Sequence, residues 1–133
     1  MVLPAGQVSH LRLVLPGGKR LTGRALAFAL EDQLADEPEA IHAVAGEPDA
    51  QGGVSVAVVE RAAFARLLGA LEAAGLAPQS VRAEPDGVAP AGGEWRLVWS
   101  DVPFLRAAGQ PTLLPGNTPD DALAFLGLAL ARA

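Results

Sequence analysis

Two histidines, His10 and His42, and fifteen acidic residues are the side chains of this 133-residue chain that could move protons or hold a metal. Imidazoles that share a metal want one helix face, or nearby carboxylates with hydrogen-bonded partners behind them. His10 and His42 instead fall on or near separate segments with strand-like patterning, so structural roles are expected for both. The acidic residues gather at Glu31, Asp32, Asp36, Glu37 and Glu39. A carboxylate pair can divide general-acid and general-base duties. Yet Glu31 and Asp32 are neighbours on a predicted helix, where they point about 100° apart. With no base or metal-binding partner close by, the run reads as a solvated face. Glu31, Asp32, Asp36 and Glu37 are then a candidate partner-docking patch rather than a catalytic one.

Other catalytic devices are missing. The chain has no cysteine, which excludes disulfides and thiolate metal sites. No serine occupies a nucleophile elbow. The segment Leu15-Pro-Gly-Gly-Lys-Arg20 is glycine-rich and basic, but it lacks the spaced Gly-Lys-Ser/Thr pattern that cradles phosphates and reads as a turn. One lysine and nine arginines are spread thinly over a chain of net charge −5, which argues against a nucleic-acid partner. No catalytic residue, cofactor or metal ligand is assigned.

The elements that would position these residues are punctuated by proline and glycine. Val8 to Leu15 alternates as a strand, with Leu11, Leu13 and Leu15 on one face, and Pro16-Gly17-Gly18 stops it. From Gly23, the four-residue repeat Leu26, Leu30, Leu34 predicts a helix limited by Pro38. Ile41–Ala45 and Val54–Val59 read as a hairpin across the loop 46–53. Val59, opposite to Val54, Val56 and Val58, marks the second strand as central or covered on both sides. A helix from Arg61 carries Phe64, Leu67, Leu68 and Leu71 at helical spacing and stops at Gly75. A short strand within Pro78–Glu84 follows, and the segment Pro85–Gly93 is a hinge candidate.

Beyond it, Trp95, Leu97 and Trp99 share one face of a strand, and the two tryptophans are expected to form a core layer. A partner strand lies at Phe104–Ala107. Thr118 is placed to cap a last helix with Pro119 at its first position and Asp120 and Asp121 in its first turn. The expected division is 1–90, an αββα unit with flanking strands, and 91–133, a ββα unit. Half the residues are hydrophobic and 19% are charged, so a core is available. Aromatics are 5%, so it must be built of Ala, Leu and Val. The longest apolar stretch, Ala122 to Ala131, is half the roughly 20 residues that span a bilayer.

Several blocks resemble the type II secretion system protein L family. Ala25-Leu-Ala-Phe-Ala-Leu-Glu-Asp-Gln-Leu34 is similar to that family's ALPFALEDQL helix, with Ala27 in place of a proline. Ile41-His42 follows an acidic stretch as in the family. Val54–Ala62 resembles its VAVVxRA block, Leu71–Pro78 its AAGLxP helix end, and Pro85-Asp86 its PD. The match covers roughly residues 8 to 90 and is looser from Glu94.

The resemblance implies an α+β, actin-like (RNase H-like) fold containing an αββα inserted subdomain followed by a ββα unit. It also implies a piece of a longer protein whose membrane helix lies outside these residues. In actin-like ATPases an Asp-x-Gly hairpin wraps the nucleotide phosphates. The counterpart here, Ser100-Asp101-Val102-Pro103, has no glycine, so nucleotide hydrolysis is not expected. The implied role is a non-catalytic adaptor at the cytoplasmic face of the inner membrane. It would recruit the secretion ATPase, protein E, and couple it to protein M, with a homodimer among the allowed assemblies. The alternatives are a pilus-assembly protein M-like or other degenerate actin-like binding module, and a metal-dependent hydrolase. The last would need Asp32, Asp86 and Asp101 to converge.

Overall fold

The computed structural model describes residues 1–15, 20–116 and 118–132. The turn expected at Pro16-Gly17-Gly18, with Lys19 beside it, lies outside them. In chain order the elements are β1 (Val2–Leu3), β2 (Ser9–Val14), α1 (Gly23–Ala29), β3 (Ile41–Pro48), β4 (Gly53–Glu60), α2 (Arg61–Ala73), β5 (Arg82–Ala83), β6 (Trp95–Val98), β7 (Phe104–Ala107) and α3 (Pro119–Ala131). Short 3-10 turns sit at Ala5–Gln7, Glu31–Gln33, Pro38–Ala40 and Glu84–Gly87.

The valine-rich strand β4 is central, as its two apolar faces require: the order is β2–β4–β3, all antiparallel. Leu11 faces Val56 and Leu13 faces Val54, so the pleat puts leucines and valines on one side together. That side meets α1. Leu26, Ala27 and Leu30 pack there with Leu13, Ile41, Ala43, Val54, Val56 and Val58 into the main core. The opposite side, with Ala57 and Val59, is covered by Leu3, Val8, Ala83 and the Phe64 and Leu67 face of α2. Phe64, Leu67, Leu68 and Leu71 are all half-buried, so the helical stripe was legible.

Gly75 closes α2 with φ +75°. The Gly75 amide donates to the Glu72 carbonyl (2.9 Å) and Leu76 to Leu71 (2.8 Å), which satisfies two carbonyls the helix end would leave open. Arg61, the first residue of α2, reaches back and donates to the carbonyls of Ile41 (2.8 Å) and Glu39 (3.1 Å), tying the helix to the start of β3.

Four expectations need correction. The first helix does not run on through Leu34; α1 ends at Ala29 and the chain tightens into a 3-10 turn, with Gln33 N–H donating to Leu30 C=O at 2.9 Å. Leu30 and Leu34 still point inward, buried and half-buried, so the four-residue spacing reported burial correctly and helix length wrongly. The strand expected within Pro78–Glu84 shrinks to β5, and it pairs in parallel with β1, which was not anticipated. The first strand of the hairpin continues past Ala45 to Pro48, through an irregular register. The two tryptophans form no core layer: Trp95 is half-buried and Trp99, past the end of β6, is 51% exposed. The β6–β7 pair is a two-stranded sheet with one further bridge, Leu105 to Leu113, so too little lies over it to bury both rings.

Thr118 caps α3 as expected: its Oγ1 accepts the Asp121 N–H at 3.1 Å, and Pro119 opens the helix. α3 buries only Ala122, while Leu123, Leu128 and Leu130 stay exposed.

Candidate partner-docking surface

The acidic segment is built by the end of α1. Leu30 is fully buried and anchors the 3-10 turn Glu31–Gln33 to the main core, while Leu34 and the buried Pro38 hold the chain beyond it. Between these anchors Glu31, Asp32, Asp36 and Glu37 all face solvent. None of the four has a side-chain hydrogen bond or ion pair among the described residues. Several other carboxylates of the chain are engaged. Asp49 accepts from Arg12 at 2.6 Å, Glu47 pairs with Arg20, Glu39 with Arg24 at 3.4 Å, and Glu94 with Arg96 at 2.9 Å. Asp49 also accepts from the amides of Gln51 (2.9 Å) and Gly53 (2.8 Å), which shapes the hairpin tip. The Arg12 guanidinium, then the Gly53 amide, hold the Asp49 carboxyl below its usual range.

The histidines are placed apart, on the same side of the sheet. His42, exposed on edge strand β3, stacks on Phe64 with ring centres 5.6 Å apart. His10 on β2 is buried, and its Nε2 lies 3.2 Å from Asp86 Oδ1. Because the carboxylate can only accept, Nε2 carries the proton; Nδ1 is buried with no partner among the described residues. Burial lowers the His10 pKa, an effect that Asp86 partly offsets and Arg106 adds to. Sequence reasoning assigned His10 a structural role but missed Asp86, 76 residues away; nothing local links them.

Among the described residues no group of three or more His, Asp or Glu is placed to hold a metal. Asp86 is held by His10, while Glu31 and Asp32 project from their turn. The β6–β7 connection, where a phosphate-wrapping hairpin would need a glycine, is closed by Ser100 Oγ donating to the Val102 carbonyl at 3.0 Å. Among the described residues no nucleophile–base pair is assembled.

Residues 1–112 match the sequence profile of "Type II secretion system (T2SS), protein L". The chain belongs to the type II secretion system protein L family. It is 37% identical over 87 residues to the type II secretion system protein L of Pseudomonas aeruginosa, a match covering 65% of this chain and 23% of that protein. Its fold is that of the cytoplasmic domain of EpsL, described as an inner-membrane component of the type II secretion system of Vibrio cholerae. The TM-score is 0.71 at 19% identity, over 86% of this chain and 49% of that one. The chain thus spans about a quarter of the Pseudomonas relative and half of the Vibrio chain. The architecture is α+β and actin-like, as the sequence blocks implied. Protein L is, by its description, a component of the type II secretion system. No described helix is long and apolar enough to cross a membrane.

Proposed function

We propose that this domain is an adaptor of the inner-membrane platform of the type II secretion system, working at its cytoplasmic face. In this reading it recruits the secretion ATPase, protein E, and couples that motor to protein M. The family match over residues 1–112 carries the proposal. The carboxylates of the 31–37 segment, unengaged among the described residues, supply a docking surface, because no internal ion pair has to break when a partner's cations approach. Residues 1–90 and 91–133 are its two working units.

A binding assay of the N-terminal domain of protein E against this chain tests the reading. The wild-type chain is expected to bind. Reversal of Glu31, Asp32, Asp36 and Glu37 to Lys is expected to weaken the complex by about tenfold or more, with an unchanged circular dichroism spectrum. No binding by the wild-type chain ends the recruitment claim. Equal binding by the reversed variant removes the patch from it.

A further inference from the structure

A groove of about 470 Å³ opens beside the acidic segment, between the 3–9 stretch, the chain at 34–36, the end of β4 and the first turns of α2. Its apolar lining includes Leu34, Phe64 and Leu67, which are half-buried by their own packing and keep one side open. Asp36 and Glu60 stand in the same lining, both exposed and neither paired among the described residues. No lysine or arginine lines the groove. The local arrangement is therefore a mixed surface, in which Leu34, Phe64 and Leu67 stand among polar groups such as Gln7 and Ser9, beside uncompensated negative charge on a chain whose net charge is −5. Its volume falls in the range of specific binding clefts, about 300–1,000 Å³.

We propose that this groove is a docking site for an amphipathic segment of a protein partner, with apolar side chains seated on Phe64 and Leu67 and Lys or Arg set against Asp36 and Glu60. Apolar burial supplies the affinity of such a mode, and charge supplies orientation and partner choice. An acidic or neutral segment would leave the two carboxylates of the occupied groove with no counter-charge. The partner's identity rests on the adaptor reading above; the chemistry of the groove does not.

A displayed library of random peptides, selected on the wild-type chain and depleted on an Ala63→Trp variant whose indole fills the groove, tests the proposal. Selection should enrich sequences that combine Leu, Ile, Phe or Met with Lys or Arg. A synthetic peptide of the enriched sequence should lose about tenfold or more in affinity both for Ala63→Trp and for Asp36→Lys with Glu60→Lys. Glu72→Lys, exposed elsewhere on α2, should leave the affinity unchanged, and all variants should keep the wild-type thermal transition. Enrichment of acidic or uncharged sequences, no enrichment at all, or a peptide indifferent to Ala63→Trp would overturn the groove. A second arm adds protein E as competitor. Displacement of the peptide joins the groove to the adaptor role. If the peptide binds the groove and protein E binds nowhere on the wild-type chain, the recruitment reading fails and the groove stands.

Discussion

The imidazole of His10 has one nitrogen on Asp86 and the other enclosed without an acceptor among the described residues, so a second proton would have nowhere to bond. Burial opposes that proton and Arg106 adds to the opposition; together they outweigh Asp86, which favours it, and set the folded pKa below the unfolded value of about 6.5. A depressed pKa means that the unfolded chain binds the proton first as the solution is acidified. The contribution of His10 to stability is thus fully present above about pH 6.5 and is lost as pH falls through the folded-state value. Urea midpoints at about pH 7 and about pH 5 should therefore differ more for wild type than for His10→Gln, which keeps an N–H for Asp86 but does not titrate. Parallel pH profiles would show that the ring protonates freely where it sits. Leu30 makes a simpler case. It is fully buried where α1 ends, and Leu30→Ala should cost about 2–5 kcal/mol by chemical denaturation.

Elements respond to the same substitution with opposite sign when backbone geometry differs. Gly75 sits at φ +75°, where a Cβ crowds the following carbonyl, so Gly75→Ala should destabilise by about 1 kcal/mol or more. Gly69 lies in the interior of the same helix, and a Cβ there meets nothing within 4 Å, so Gly69→Ala should stabilise by about 1 kcal/mol. Thermal melts of the two variants check this, and shifts in the same direction would mean that helix-end geometry does not set the effect. The helix end at Gly75 and the cap at Thr118 were legible in the sequence because each depends on residues within one turn. The central place of β4 was legible too, since only a strand covered on both sides needs Val59 opposite to Val54, Val56 and Val58. The end of α1 was not legible: inward-facing leucines recur at Leu30 and Leu34 whether the chain between them is helical or a 3-10 turn.

At the scale of the whole molecule, both apolar clusters around the three-stranded sheet draw on residues up to Ala83 alone. The β6–β7 pair and α3 are joined to that unit by smaller ties. Arg106 donates to the Val88 carbonyl at 3.4 Å, and the side chain of Val102 lies against Gly6. A chain of residues 1–90 is accordingly expected to unfold cooperatively, at a lower temperature than residues 1–133 because those ties are gone. A broad, non-cooperative melt of the shorter chain would place its stability in contacts with 91–133 and end the proposed division.

Apart from β1 and the 3-10 turns, the type, order and local punctuation of the elements came from the sequence alone, as did the absence of a thiol, a nucleophile elbow and a phosphate loop. These depend on residue identity and short-range spacing, which the chain carries explicitly. The tertiary structure decided what spacing leaves open. It placed Asp86 on His10 and β5 beside β1 across about eighty residues. It left Trp99 in solvent, because alternation says which side chains share a face and not whether anything covers it. It also showed the 31–37 carboxylates exposed, and unengaged among the described residues, beside an open groove, a juxtaposition that exists only once α1, β4 and α2 have packed together.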